Sequence, residues 1–148
     1  MILSGQSYHL KDLVRLGRAY HAESPYVSTH EYEEDLVLDF LRRAMIYPHI
    51  EVAVLEIDGR ARGAGIAGII PIYWSSRLRA HMEFLYIDPE YRGQGHAEQI
   101  IEHMIAWSRK MEATELTAGD LGLRPRLTER FLEEQGFGDP GVMMRVVL

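Results

Sequence analysis

The chain of 148 residues contains no cysteine. That absence removes disulfide frameworks, Cys-ligated zinc and iron-sulfur clusters, and any thiol nucleophile that could hold an acyl group covalently. Any acyl transfer by this chain is therefore expected to be direct. Positive charge is also scarce, with 16 Lys and Arg against 22 Asp and Glu and a net charge of -6. Non-specific affinity for phosphate backbones comes from clustered Lys and Arg, so no nucleic acid partner is expected. No apolar run approaches the roughly 20 residues of a membrane span. The opening Met1-Ile-Leu-Ser-Gly-Gln has neither the charged nor the apolar region of a signal peptide, so the expected setting is the cytoplasm with no membrane partner. H-E-x-x-H, G-x-S-x-G and G-x-x-x-x-G-K-[ST] are all missing. His9, His21, His30, His49, His81, His96 and His103 fall on different predicted elements without compact ligand spacing, and no metal is expected.

What is present suits one soluble domain over residues 1–148, with 47% hydrophobic and 26% charged residues. Leu10, Leu13, Val14, Gly17 and Tyr20 share a helical face between about Ser7 and His21. Ser28 and Glu31 have the form of a capping box before a second helix with the apolar stripe Leu36, Val37, Phe40, Leu41 and Ala44, closed by Pro48. Val52 to Ile57 reads as a strand, and Asp58-Gly59 as a hairpin turn into a strand from Ala64 to Tyr73. Another strand runs from Arg79 to Ile87. A helix from about Gly95 to Met111 follows, then a strand near Glu115 to Ala118, a helix from about Pro125 to Gln135 and a closing strand over Val142 to Leu148. The order α-α-β-β-β-α-β-α-β predicts an α/β (α+β) fold built on one mixed sheet.

The most informative stretch is Tyr86-Ile-Asp-Pro-Glu-Tyr-Arg-Gly-Gln-Gly-His-Ala97, a β-like run feeding a glycine loop that opens into a helix. Gly93 and Gly95 allow a tight turn and close approach to a ligand, the helix start offers free N–H groups and a positive dipole end, and Arg92 adds a cation. Arg92-Gly93-Gln94-Gly95-His96-Ala97 resembles the pyrophosphate-binding motif of the GCN5-related N-acetyltransferases (GNAT), Arg/Gln-x-x-Gly-x-Gly/Ala. Glu134-Gln-Gly-Phe137 is similar to that family's Gly-Phe helix ending, and the element order matches its mixed, mostly antiparallel sheet flanked by helices, without the optional first strand.

The resemblance implies acetyl-CoA as donor and a primary amine as acceptor. It assigns the pantetheine arm to backbone groups of Leu85, Tyr86 and Ile87, and the pyrophosphate to amides of Gly93, Gln94, Gly95, His96 and Ala97 beside Arg92. An ammonium must lose a proton before it can attack. Glu83, two residues before Leu85 on the expected strand face, is the first candidate base; it reads equally as the ion-pair partner of Arg79 or Arg62. Asp120 is second and His81, one step further along the face of Glu83, third. The family's general-acid tyrosine, five residues before the phenylalanine, is replaced by Leu132, leaving Tyr86 or a water for that role. A degenerate member that binds acetyl-CoA or a partner without turnover is the alternative, and a homodimer is allowed as the assembly.

Two further signals read first as structure. Gly63-Ala-Gly-Ile-Ala-Gly68 spells G-x-G-x-x-G, but the β-like, proline-containing Ile69-Ile-Pro-Ile-Tyr73 follows it where a dinucleotide site needs a helix, so close packing in a strand is expected. Glu31, Glu33, Glu34, Asp35 and Asp39 read as the wet face of the second helix and, through the resemblance, as a rim that would attract a cationic acceptor. Tyr26, Tyr32, Tyr73 and Trp74 are candidate aromatic walls of the same pocket, with core packing as the more economical reading.

Overall fold

The computed structural model describes residues 1–25, 27–119 and 125–138, without the side chains of 125–129. Among the described residues five strands form one sheet in the order β1-β2-β3-β4-β5: β1 (Ile2–Ser4), β2 (Ile50–Ile57), β3 (Arg60–Pro71), β4 (Leu78–Ile87) and β5 (Ala113–Ala118). The first three pairings are antiparallel and β4 with β5 is parallel. The helices are α1 (Leu10–Glu23), α2 (Glu34–Ala44), α3 (His96–Lys110) and α4 (Pro125–Glu134). The expected mixed sheet flanked by helices is therefore present. The predicted closing strand over Val142 to Leu148 lies outside the described residues.

Strand alternation sends side chains to two cores on opposite faces of the sheet. On one face Val52, Val54, Ala64 and Tyr86 meet Leu13, Val14 and Leu16 of α1 and Leu41 and Ala44 of α2. On the other, Leu55, Ala67, Met82 and Ile87 meet Ile100, Ile101 and Met104 of α3, with Leu132 of α4. Asp58 (φ 52°) and Gly59 (φ 70°) both take the left-handed backbone of a tight hairpin turn, as their sequence predicts.

Three expectations need correction. A short first strand exists, because Ile2, Leu3 and Ser4 pair with Leu55, Val54 and Ala53 at the edge of β2. Ser28 and Glu31 do not cap α2: the N-cap is Glu33, without a side-chain cap hydrogen bond, and the chain before it is instead pinned to α1 by Tyr32, whose hydroxyl donates to the Val14 carbonyl at 2.7 Å. Leu36 and Phe40 are exposed, since α2 buries Leu41 and Ala44 and only partly Val37 and Leu38.

α1 is also fastened by charge. Arg60 donates to both oxygens of the buried Asp12, at 2.9 and 2.6 Å, and the Ala61 amide adds a third bond at 3.1 Å. The Arg60 hydrogen bonds hold the Asp12 carboxyl below its usual range against the opposing effect of burial. A depressed carboxyl contributes stability above its unfolded pKa that is lost as pH falls through the folded value. Asp12→Asn should therefore cost about 1–2 kcal/mol at pH 7, and the gap between variant and parent denaturation midpoints should close as the pH drops below about 4.

Candidate active site

The parallel ladder between β4 and β5 ends early. Leu78, Ala80, His81 and Met82 pair with Ala113, Leu116, Thr117 and Ala118, and among the described residues β4 has no strand partner on that side beyond Met82. Its other edge stays bonded, with Phe84 to Ile87 paired to Ile66 through Gly63. Among the described residues, alternate positions of 83–87 therefore turn backbone donors and acceptors to an open edge. Leu85 and Ile87 turn their side chains into the α3 core and Tyr86 into the α1 core.

The open edge leads directly to the glycine loop. Asp88 and the short helical turn Pro89–Tyr91 connect to Arg92, and Gly93 (φ 74°) and Gly95 (φ 79°) take left-handed conformations, Gly95 serving as N-cap of α3. Nothing lies within 4 Å of a Cβ built on either glycine, so the loop presents an open face. The first amides of α3 lack intrahelical partners there. A cleft of about 250 Å³ is lined by Ile87, Tyr91, Arg92, Gly93, His96, Ala97, Glu98 and Phe131. Nδ1 of His96 is buried and has no hydrogen-bond partner among the described residues. Unpaired helix amides, an arginine and an orphaned imidazole nitrogen fit an anionic diphosphate. Gln94 is exposed and donates to the Glu90 carbonyl at 3.1 Å, leaving its backbone to the loop.

Sequence reading did not find the support behind Arg92. Its Nε donates to the Ile87 carbonyl at 2.9 Å, and one terminal nitrogen reaches both oxygens of Glu23, at the end of α1, at 3.1 Å. The Tyr86 hydroxyl donates to the same carboxylate, and the Arg92 guanidinium lies 5.1 Å from the Tyr86 ring centre. Burial first, then Glu23, pushes the Tyr86 hydroxyl up to about 12. Tyr86, 2% exposed, thus keeps its proton at neutral pH and directs it to Glu23. No local sequence signal links Glu23 to a loop nearly 70 residues away; only the fold does. Arg15, also on α1, braces the loop entrance by gripping both oxygens of the buried Asp88 at 2.8 Å.

At the other end of the open edge, Glu83 stands at a bulge. Ile66 and Ala67 are consecutive, but their partners are Phe84 and Met82, so Glu83 is the extra residue. The bulge breaks the alternation from which Glu83 and Leu85 were expected to share a face: Met82, Leu85 and Ile87 all enter the α3 core instead. The Glu83 side chain is 70% exposed and its carboxylate lies 3.6 Å from His81 Nε2. Neither Arg62, which faces Asp88 and Glu90, nor Arg79 forms an ion pair with Glu83 among the described residues. Asp120 and Tyr26 lie outside the described residues. Leu132 is buried in the α3-side core.

The acidic residues Glu31, Glu33, Glu34, Asp35 and Asp39 are all exposed, with Glu34 paired to Arg18 and Asp39 to Arg43. Core packing does not explain Tyr73 and Trp74: they are 93% and 71% exposed on the β3–β4 connection and pack edge to face on each other. The Gly63-x-Gly65-x-x-Gly68 pattern lies inside β3, as its flanks predict.

The fold is shared with several solved acetyltransferases. The aminoglycoside N-acetyltransferase AAC(6')-Iy in complex with CoA superposes with a TM-score of 0.80 at 18% identity over 100% of this chain and 93% of that one. An aminoglycoside 6'-N-acetyltransferase from Acinetobacter haemolyticus gives 0.75 at 17% identity over 100% and 97%. Glucosamine-6-phosphate N-acetyltransferase from Arabidopsis thaliana gives 0.78 at 14% identity over 99% and 97%. No curated protein matches the sequence. At such identities these likenesses speak for the fold, and the family comes from the sequence: residues 13–137 match the model of the Acetyltransferase (GNAT) family, so the chain belongs to that family of N-acetyltransferases.

Proposed function

We propose that this chain is a single-domain, cytoplasmic enzyme that transfers an acetyl group directly from acetyl-CoA to a primary amine. The observation that carries this reading is the continuity of the open β4 edge, beginning beyond Met82, with a loop whose glycines and helix start suit a diphosphate. Backbone groups of Leu85, Tyr86 and Ile87 would hold the pantetheine arm, and the 93–97 loop with Arg92 the pyrophosphate. The Ile87 carbonyl already accepts from Arg92, and alternation along β4 turns the Tyr86 backbone toward β3, which leaves Leu85 as the freer contact. Acetyl-CoA supplies an activated thioester, and a backbone N–H on the open edge would polarise its carbonyl. The acidic residues bordering α2, and the aminoglycoside substrates named for structural relatives, favour a cationic amine as acceptor.

The test is a panel of amines incubated with acetyl-CoA, following free thiol. Turnover with at least one amine is expected, with sequential kinetics, because the chain has no cysteine and no activated-serine signature to carry an acetyl group. A ping-pong pattern or an acetyl group trapped on the protein would contradict direct transfer. Leu132 supports a second reading, since it is a core side chain where the family resemblance would place an acid. A protein that is stabilised by acetyl-CoA yet releases no thiol with any amine would be such a non-catalytic member.

A further inference from the structure

We propose that the cleft between the end of α2, the start of β2 and the end of α3 is a second ligand site, taking a primary ammonium carried on an apolar or aromatic body. The cleft measures about 530 Å³, within the usual range for small-ligand pockets. It lies apart from the glycine loop. The loop sits at the start of α3, whereas the cleft reaches Lys110 and Met111 at the other end of that helix, roughly 20 Å away along its axis. Nothing in it depends on acetyl transfer.

Glu51 supplies the anion. Its side chain is only 12% exposed, and both of its hydrogen bonds end on one oxygen: the Ser4 hydroxyl donates to Oε1 at 2.7 Å, and His103 Nε2 donates to the same atom at 2.6 Å. Among the described residues no hydrogen bond reaches Oε2, and that atom is not sealed from the cleft. The fold thus occupies one carboxylate oxygen and leaves the other for a donor. Burial works against the charged form, but the bonds from His103 and Ser4, with the nearby charge of Lys110, hold the Glu51 carboxyl below its usual range. It is ionised at neutral pH.

Two further features select a cation with an apolar body. α2 ends at Ala44 with Met45 as its C-cap, α3 ends at Lys110 with Met111 as its C-cap, and all four residues line the cleft. Both helices therefore bring their negative dipole ends to the same space. The walls are apolar and aromatic. Trp107 and Tyr47 are side chains that attract a cation as well as a ring, Met45 and Met111 adapt to an irregular hydrocarbon, and Ile46 is left 77% exposed at the lip. Lys110 is the opposing charge. It lies exposed on the last turn of α3, so a ligand cation enters against it, and its removal should improve binding. A carboxylate ligand would need the reverse, a free cation in the cleft and no ionised Glu51.

The test titrates the native protein, without acetyl-CoA, with phenethylammonium and with two analogues of similar shape, phenethyl alcohol and hydrocinnamate. The readout is the indole N–H resonance of Trp107, and that of Trp74, the other tryptophan of the chain, reports separately on the β3–β4 connection. Trp74→Phe assigns the two signals. Phenethylammonium should shift Trp107 saturably, and the alcohol and the carboxylate should each bind at least about tenfold more weakly, having no charged donor for Glu51. Glu51→Gln should weaken binding of phenethylammonium by about 10- to 100-fold. Lys110→Gln should tighten it by about two- to fivefold. Glu51 also ties β1 and β2 to α3, so the ligand series in the native protein and Lys110→Gln, a change on an exposed side chain, decide the matter even where Glu51→Gln does not fold. Hydrocinnamate binding as tightly as the ammonium, weaker ammonium binding in Lys110→Gln, or unchanged binding in a folded Glu51→Gln would overturn the proposal. So would a Trp107 signal that stays in place up to the solubility limit of the amine, whether or not Trp74 moves.

Discussion

Replacing Gly95 by tryptophan should abolish acetyl-CoA binding while leaving the protein folded. Gly95 adopts φ 79°, where an L side chain costs about 1–2 kcal/mol, and a Cβ there meets nothing within 4 Å. The added indole therefore disturbs no core contact. It occupies the open face over the start of α3, where the unpaired amides lie, and it turns the N-cap away from the geometry that aligns them. In the native protein, acetyl-CoA at about 100 times its dissociation constant should add roughly 2.7 kcal/mol of stability. Gly95→Trp should show a denaturation midpoint lowered by only the cost of the backbone strain, and no further shift with acetyl-CoA even at a hundredfold higher concentration. A ligand shift of native size in this variant would place the diphosphate elsewhere.

Arg92 qualifies how that site is charged. Its guanidinium is already shared with Glu23 and with the Ile87 carbonyl, so the loop does not present a bare cation. Glu23 aims the guanidinium and also lowers the positive potential that a diphosphate would meet. Because Glu23 ends α1 and Arg15 of the same helix grips Asp88, the helix that leads toward the α2 connection is fastened at two points to the candidate donor loop.

Local rules made most of the fold legible, and they failed where distant parts of the chain decide the outcome. The helical stripe from Leu10 to Tyr20, the Asp58-Gly59 turn and the Gly95 helix start each follow from a few neighbouring residues, and each lies where its sequence places it. Three residues are too few for a periodic signal, so β1 was hidden until β2 supplied its partner. The Ser28 and Glu31 pair has the form of a cap, but Tyr32 docks the connection against α1 and the helix begins later, at Glu34. Glu83 shows the same limit within the site. Its residue type and strand were readable, whereas its face was not, because one extra residue opposite Ile66 and Ala67 reverses the alternation on which the reading depended.

The three glycines of the misleading dinucleotide pattern should respond unequally to substitution, in the order set by packing in β3. A Cβ on Gly65 would stand 2.6 Å from the Ile100 Cγ2 methyl and 3.3 Å from the end of Met104, both on α3. One on Gly63 would stand 2.5 Å from Ile87 Cδ1 and 3.0 Å from the Tyr86 carbonyl oxygen. One on Gly68 would meet only the His49 carbonyl oxygen, at 3.9 Å. Gly65→Val should therefore force α3 away from the sheet and destabilise the protein by about 2–3 kcal/mol, the upper part of the range for overpacking. Gly68→Ala should change stability by about 0.5 kcal/mol or less. Since α3 also begins at the glycine loop, Gly65→Val should weaken acetyl-CoA binding in proportion to the displacement of the helix, whereas Gly68→Ala should leave it unchanged. Urea denaturation with and without acetyl-CoA measures both effects. Equal costs at Gly65 and Gly68 would show that close approach of α3 to β3 is not what the pattern serves, and a loss of acetyl-CoA affinity in Gly68→Ala without loss of stability would return the pattern to ligand binding.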